Sequence, residues 1–187
     1  MTSFRVITRI DEVLPSPARQ EEPSGRGSLR VGAVQCAWDP DRDAHLETLA
    51  TGIRLAAAEG AAMICLQELT LSPYFAVAPD DREAAARYAE HVEDGPTATF
   101  ARRMAAETGA TVHASLYERD PGGLGFNTAI AVAPSGELLA RTRKVHIPQF
   151  PLYHEDRYFA PDIEAAKRLV QSGVYSEFVD AGLLPSF

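Results

Sequence analysis

The chain has 187 residues, of which 45% are hydrophobic and 24% are charged, and this composition is typical of a single folded domain. Its formal net charge of −8 argues against nucleic acid and anionic membranes as partners, because neither would meet a basic field. No apolar run approaches the ~18 residues that a membrane-spanning helix needs. We therefore expect an acidic protein that binds neither nucleic acid nor a membrane.

The first 28 residues are rich in proline, glycine and charge. This composition predicts a flexible N-terminal tail (residues 1–28), with at most a short ordered piece from Phe4 to Ile10. The tail lacks the continuous apolar stretch of a secretory signal, so we expect a cytoplasmic location. Cys36 and Cys65 both lie in apolar runs, where a small buried thiol is the common case and a disulfide framework is not implied.

The ordered part of the chain begins with a strand, a helix and a second strand. The apolar run Leu29 to Cys36 predicts a central strand. Asp39 and the proline after it predict the start of a helix, which continues at helical spacing until Gly60. The run Ala61 to Leu66 then predicts a buried strand that carries Glu68 at its end.

Two helical stretches and three strands are predicted in the middle of the chain. The helical stretches run from Arg82 to Val92 and from Thr97 to Thr108, and a glycine follows the second. The strands run from Thr111 to Glu118, from Phe126 to Ala133 and from Leu138 to Lys144. Strands that alternate with helices predict an α/β fold.

The segment from Val145 to Pro161 is irregular, with three prolines and several aromatic residues. A long aromatic loop that stays ordered usually lines a site or packs over one. After it, the pattern predicts a helix from Asp162 through Val170.

Three ionisable residues, Glu68, Glu118 and Lys144, each close an apolar run. A shared sheet would bring strand ends together at one edge, next to the crevice where open α/β sheets bind ligands. Spacing alone leaves a simpler interpretation open, since acids and lysines at strand ends are often merely solvated. The sequence therefore predicts a candidate site without choosing its reaction.

Several ordered motifs give the chain a family resemblance. VGAVQ, LQELTLSPYF, LYE with FNTAIAV, and ARTRKVHIP with YHEDRYFAP follow one another along the chain. In this order they resemble the nitrilase superfamily of carbon-nitrogen hydrolases, especially its N-carbamoylputrescine amidase and β-ureidopropionase group. The resemblance covers residues 29–161 and implies an α-β-β-α sandwich of four layers, of which this chain supplies the N-terminal portion only.

The resemblance also implies roles for individual residues. Glu68 is expected to act as general base, Lys144 to stabilise the tetrahedral oxyanion, and Glu118 to orient the substrate and the lysine. Further support or substrate contact is expected from Tyr74, Asn127, His146 and Tyr153, although a turn polar group or a packing aromatic explains each of these four equally well. The implied substrate is a linear amide or an N-carbamoyl amine, and no cofactor or metal is implied.

The cysteines depart from the family pattern. The family nucleophile is a cysteine that comes well after the RK-x-HIP motif, but this sequence has no cysteine after Cys65. On an extended strand the Cys65 side chain would point away from that of Glu68, with the two Cα atoms ~10 Å apart. Cys36 has the better position but matches a buried family residue. We therefore expect no amidase activity from this chain alone.

The resemblance stops at Asp162, and residues 162–187 are interpreted as a divergent helical tail. A truncated gene, a frameshift or a genuine short variant would each produce this pattern. Half of a sandwich would leave apolar sheet surface uncovered, so an oligomer or completion by another chain is expected.

Two other functions remain open at this stage. Glu68, Glu118 and Lys144 would still suit a non-catalytic module that binds a small amine or carbamoyl ligand. The residue types of His146, His154, Glu155 and Asp156 would suit a metal, although their spacing matches no compact metal motif.

Overall fold

A five-stranded mixed sheet with helices on one face organises the computed structural model, which describes residues 4–8, 28–148 and 150–171. The strands are β1 (Val31–Ala33), β2 (Met63–Cys65), β3 (Thr111–Glu118), β4 (Phe126–Val132) and β5 (Leu138–Arg143). The helices are α1 (Arg42–Ala58), α2 (Arg82–Ala86), α3 (Pro96–Thr108) and α4 (Ile163–Gln171). Short 3₁₀ turns cover Phe75–Val77 and Glu155–Arg157.

The strands lie in chain order, β1-β2-β3-β4-β5. β1, β2 and β3 are parallel because helices connect them, whereas β3, β4 and β5 are antiparallel and follow one another directly. The predicted α/β class is confirmed. The prediction of a central first strand is wrong for the described sheet, since β1 is at its edge and Val31 is exposed.

Helices α1 and α3 cover one face of the sheet and form the main core with it. Leu49 and Ile53 of α1 and Met104 of α3 are fully buried against Ile64 and Val112 of the sheet. The apolar positions of both helices recur at helical spacing, so each presents one stripe to the strands. Gly109 ends α3 in the left-handed conformation, at φ 71°, as its sequence position predicts.

The start of α1 differs from its prediction. The helix is capped by Asp41, whose Oδ1 accepts hydrogen bonds from the backbone N–H groups of Asp43 and Ala44 at 3.0 and 3.1 Å. Asp39 instead accepts a hydrogen bond from the Asp41 N–H at 2.9 Å, so it closes a turn before the helix. Local hydrogen bonding of two nearby aspartates decided the boundary.

The second helix is also shorter than predicted. α2 ends at Ala86, although the alanine-rich pattern continues to Val92. Beyond it, the Glu90 N–H donates to the Tyr117 carbonyl and the Arg119 N–H donates to the Glu90 carbonyl, both at 2.9 Å. This parallel bridge to the end of β3 satisfies the backbone in extended form, and so the tertiary contact overrides the helical propensity.

A second buried cluster is aromatic and lies at the end of β3. Phe75 packs against Tyr117, Tyr158 and Phe159, with ring centroids 5.1, 5.3 and 5.7 Å apart. The Tyr158 hydroxyl accepts from the Asp81 N–H and donates to the Ala78 carbonyl. The irregular segment after Lys144 is therefore anchored by buried rings, as expected of a loop that packs over a site.

The terminal segments are only partly described. Phe4 packs on the core near Gly52, and the Thr8 hydroxyl donates to Glu59 at 3.2 Å; the remainder of the predicted 1–28 tail, apart from Ser28, lies outside the described residues. The predicted C-terminal helix is present as α4, and the expectations for residues 172–187 also fall outside. Within the described ranges, no helix is long and apolar enough to cross a membrane.

Candidate functional site

Lys144 sits between two carboxylates just beyond the end of β5. Its Nζ donates to Glu68 Oε1 at 3.1 Å and to the two carboxylate oxygens of Glu155 at 3.1 and 2.8 Å. The side chains differ in burial, since Glu155 is 4% exposed, Lys144 29% and Glu68 44%. The arrangement is a cation held from behind by a buried acid and faced by an acid that solvent and a ligand can reach.

Glu68 is positioned by a turn that is hydrogen-bonded to β3. The Leu69 N–H donates to Ser115 Oγ at 3.1 Å, the Thr70 N–H donates to the Ser115 carbonyl at 2.9 Å, and the Ser115 N–H donates to Thr70 Oγ1 at 3.0 Å. Leu69 is buried and has a φ of 50°, in the left-handed region. Such a backbone costs roughly 1 kcal/mol or more and persists only where the surroundings enforce it.

Asn127 of β4 is the third neighbour of Glu68. Its Nδ2 donates to Glu68 Oε1 at 2.5 Å, and its Oδ1 accepts a hydrogen bond from Ser115 Oγ at 3.4 Å. Asn127 is buried, so its amide is held in place and directs the carboxylate toward Lys144. The predicted grouping of Glu68, Lys144 and Asn127 is thus present in the structure.

Glu155 is the site residue that spacing did not single out. It lies in the 3₁₀ turn of the aromatic segment, and the Tyr74 hydroxyl donates to its Oε1. In the sequence argument the residue was named only as part of a metal group, although it also lies in the YHEDRYFAP motif. A usable signal was its place in YHEDRYF, directly before the two aromatic residues that are now found buried in the second cluster.

Burial and hydrogen bonding act against each other on Lys144. Burial lowers the pKa of its ammonium, but the hydrogen bonds that it donates to Glu155 and Glu68 outweigh burial, and the pKa of Lys144 is raised above the usual value. Burial and the Glu155 carboxylate raise the pKa of Tyr74. Lys144 is therefore a permanent cation near neutral pH, and Tyr74 is a neutral hydrogen-bond donor.

Glu118 does not reach Lys144, and the expected contact between them is wrong. It is 5% exposed and lies on the helix-covered face of β3, two residues from buried Leu116. Its carboxylate accepts hydrogen bonds from Arg141, Arg143 and Thr128. Because side chains alternate along a strand, Ser115 faces the site and Glu118 faces away from it.

The three remaining predicted residues lie at different distances from the centre. The Tyr153 ring meets that of Tyr74 edge to face, 6.0 Å between centroids, and is half exposed at the site's outer wall. Tyr74 itself contacts Glu155. His146 is exposed in the bend that follows Lys144.

Neither cysteine is prepared for nucleophilic attack. Burial raises the pKa of both thiols, and for Cys36 it outweighs the hydrogen bond from Sγ to the Gln67 side chain. The thiolate, which is the nucleophilic form, is thereby disfavoured. The strand argument for Cys65 rested on a wrong premise, because β2 ends at Cys65 and does not extend to Glu68.

The pocket at this centre is shallow and open, with a volume of about 310 Å³. Its walls are formed by Glu68, Lys144, Asn127, His113 and small residues of the sheet, and no cysteine is among them. Within the described part of the chain, no group of three or more His, Cys, Asp and Glu residues is arranged to hold a metal ion. Glu155, one member of the alternative metal group, is bound to Lys144 and Tyr74 instead.

This geometry suits reactions in which negative charge develops on an oxygen beside a proton acceptor. Lys144 supplies fixed positive charge, and Glu68 supplies a carboxylate within hydrogen-bond reach of the same volume. A cation held in place before reaction stabilises an oxyanion without reorganising. A carboxylate beside it can take and return a proton.

Comparisons with known proteins show to which family the chain is similar. Residues 30–182 match the model of the carbon-nitrogen hydrolase family, which extends beyond Pro161, where the motif resemblance stops. An N-carbamoylputrescine amidase from Arabidopsis thaliana is 30% identical over 141 residues, covering 75% of this chain and 46% of the relative.

Two solved structures share the fold. A carbon-nitrogen hydrolase from Helicobacter pylori matches with a TM-score of 0.64 and 27% identity over 71% of this chain and 45% of its own. Nit3 of Saccharomyces cerevisiae, a member of branch 10 of the nitrilase superfamily, matches with a TM-score of 0.58 and 26% identity over 71% and 48%.

These matches show how much of its relatives' length the chain spans and to which family it belongs. The chain spans about half the length of the relatives that it matches. The family match covers most of the chain, and the described fold is that of nitrilase superfamily structures. The chain therefore belongs to the carbon-nitrogen hydrolase family.

Proposed function

We propose that this chain carries the base and the oxyanion-stabilising lysine of a carbon-nitrogen hydrolase site, and that the site binds a linear amide or an N-carbamoyl amine. The observation that carries the proposal is the position of Lys144 between Glu68 and Glu155. The name of the Arabidopsis relative supports an N-carbamoyl amine such as N-carbamoylputrescine as the ligand.

Each carboxylate has a separate task in this proposal. Glu68, the more exposed acid, accepts a proton from the nucleophile and returns it to the leaving amine. Glu155, buried behind the lysine, positions the ammonium and keeps it charged. Tyr74 holds the second acid through its hydroxyl. Glu118 has no part in this assignment, because it faces the helices.

We further propose that the 187-residue chain does not turn this ligand over. Both thiols have raised pKa values, and neither lines the pocket with Glu68 and Lys144. Removing the nucleophile from a catalytic unit costs on the order of a million-fold in turnover in a well-studied serine protease. The chain alone then acts as a non-catalytic module that holds a small amine or carbamoyl ligand.

Calorimetry tests whether the chain still binds such a ligand. N-carbamoylputrescine and putrescine are titrated into the purified chain, and saturable binding is expected for at least the carbamoyl compound. Glu68→Gln and Lys144→Met should abolish it, whereas Glu107→Gln, an exposed acid on α3, should leave it intact. Absence of heat in the unmodified protein contradicts the binding proposal.

The absence of turnover needs its own assay. Ammonia release from N-carbamoylputrescine is measured with and without a thiol reagent, and no reagent-sensitive release is expected. Cys36→Ser and Cys65→Ser should change nothing. Hydrolysis that the reagent or either substitution removes would show that a thiol of this chain is catalytic.

Self-association is the partner that we propose besides the ligand. The sheet face opposite the helices carries small, uncharged side chains, including half-buried Ala129 and Ala131 and exposed Ala140 and Thr142. A second copy of the chain would cover such a face by sheet-on-sheet packing.

A cytoplasmic location is also proposed, in keeping with two free thiols. No cofactor is part of the proposal.

A further inference from the structure

A second concave site lies on the far side of the turn that carries Glu68. Its volume is about 420 Å³, and it is formed by the β1–α1 connection, the first turns of α1 and the segment after α2. His45 forms part of its wall and contacts the carbonyl of Thr70 through Nε2 at 2.9 Å. The two sites are therefore separated by a single turn of chain.

Aromatic and apolar groups form the walls of this cavity. Trp38 stands at the rim with 37% of its surface exposed. Tyr88 is held in place from behind, because its ring stacks on Phe75 with centroids 6.4 Å apart. Leu46 and Leu71 supply apolar surface. Such walls suit a planar, partly apolar ligand.

The charged groups of the cavity are unequally satisfied. The acids have internal partners, since Asp39 accepts from the Asp41 N–H and Glu90 accepts from the N–H and hydroxyl of Thr97, both at 2.7 Å. Among the described residues, the Arg87 guanidinium has no hydrogen bond or ion pair. Arg42 has only an electrostatic interaction with Glu90. Both arginines are exposed to solvent, and a ligand can reach their guanidinium groups.

We propose that this cavity binds a small planar carboxylate, which Arg42 and Arg87 recognise by charge and Trp38 by ring contact. Guanidinium groups pair with carboxylates through two parallel hydrogen bonds and also stack on aromatic faces. Asp39 and Glu90 balance the formal charge of the two arginines in the wall, but one carboxylate oxygen of Asp39 and both of Glu90 already accept hydrogen bonds from the protein. This site does not depend on the hydrolase chemistry proposed for Glu68 and Lys144.

The single tryptophan of the chain reports on this cavity directly. Benzoate is titrated at pH 7 while Trp38 fluorescence is followed, with calorimetry as a second readout and benzyl alcohol as the uncharged comparison. A saturable change is expected for benzoate and not for the alcohol. Arg42→Gln and Arg87→Gln should each weaken benzoate roughly tenfold or more.

Two control variants test whether benzoate binds in this cavity and not elsewhere. Arg82→Gln removes an arginine of the same region that is paired with Asp80 outside the cavity, and it should leave benzoate binding unchanged. Glu68→Gln should also leave it unchanged. The proposal is overturned if neither readout saturates, if both cavity variants bind as the unmodified protein does, or if Glu68→Gln abolishes binding.

Discussion

At the scale of single residues, Lys144 shows how a buried acid keeps a neighbouring ammonium group protonated. Burial alone would lower the pKa of the lysine, but the Glu155 and Glu68 carboxylates raise it by more, so that the net shift is upward. A cation of this kind keeps its charge when a neutral amide displaces water from the pocket. Oxyanion stabilisation requires that property.

Replacing Glu155 tests this balance. Glu155→Gln should lower the Lys144 pKa, because the largest favourable interaction is lost and burial remains. The chain has lysine only at positions 144 and 167, so ¹³C-methylation gives one NMR signal for each lysine, besides that of the α-amine, to follow through a pH titration. Glu164→Gln, which removes the partner of Lys167, should not move the Lys144 signal. An unchanged Lys144 titration in Glu155→Gln contradicts the assignment.

Glu118 has a structural task that also depends on pH. Burial raises its pKa, but hydrogen bonds from Arg143 and Thr128 and the charge of Arg141 outweigh burial, and the net pKa is lowered. A lowered folded-state pKa stabilises the fold above the unfolded value of about 4.3. That contribution is lost as the pH falls through the folded-state value.

Glu118→Gln should therefore destabilise the fold by about 2 kcal/mol at pH 7, a modest figure because solvent partly screens the two arginines. The loss of stability between neutral and acidic pH should become shallower, as urea denaturation at several pH values would measure. Glu137→Gln, at an exposed acid of the turn before β5, should have a much smaller effect. An unchanged pH profile would show that the arginine contacts do not hold Glu118 ionised.

At the scale of elements, the turn after β2 transmits the rigidity of the sheet to Glu68. Thr70 is fully buried, and its hydroxyl accepts from the Ser115 N–H and donates to the Gln67 carbonyl at 2.9 Å. This hydroxyl is what couples the turn to β3. Without this hydroxyl, fewer contacts would hold the Leu69 backbone in its left-handed conformation.

Thr70→Val keeps the side-chain shape and removes only the hydroxyl. We expect a loss of about 2 kcal/mol in unfolding free energy, because a buried N–H is left without a partner. The Lys144 NMR titration should shift as well, since Glu68 is held less firmly. Thr99→Val, at an exposed position of α3 away from the site, is the matched control. Loss of stability without any shift at Lys144 would separate the turn from the site.

At the scale of the whole molecule, the helices cover only one face of the described sheet. The opposite face combines small uncharged side chains of β3, β4 and β5 with the pocket at its end. A stable interface typically buries about 800 Å² on each partner. A sheet face of five short strands is of that order.

Self-association through this face is measurable by sedimentation. The unmodified chain should form dimers or larger assemblies, and Ala131→Arg should shift it toward monomer, because a charge would be buried between the sheets. Ala86→Arg, at an exposed position of α2, should leave the association unchanged. A stable monomer at high protein concentration contradicts this prediction.

Local pattern was sufficient for the elements whose signals agree with their tertiary contacts. β3 and α3 were predicted almost to the residue, because the strand pattern of β3 and the helical spacing and terminal glycine of α3 agree with their tertiary contacts. Glu68 and Lys144 followed from their places at the ends of apolar runs and from the family motifs. Asp39 and the segment after Ala86 misled because nearby side chains or a distant strand took over the backbone hydrogen bonds.

The sequence by itself determined the α/β class, the core helices and two of the charged residues of the site. Only the tertiary structure decided which second acid meets Lys144. The pleat of β3 turns Glu118 toward the helices, and the aromatic cluster brings Glu155 to the lysine across the loop. The orientation of Glu118 could have been predicted from the alternation in β3, since Val112, Ala114 and Leu116 share their face with Glu118. The approach of Glu155 was not readable, because it depends on contacts between residues far apart in the chain.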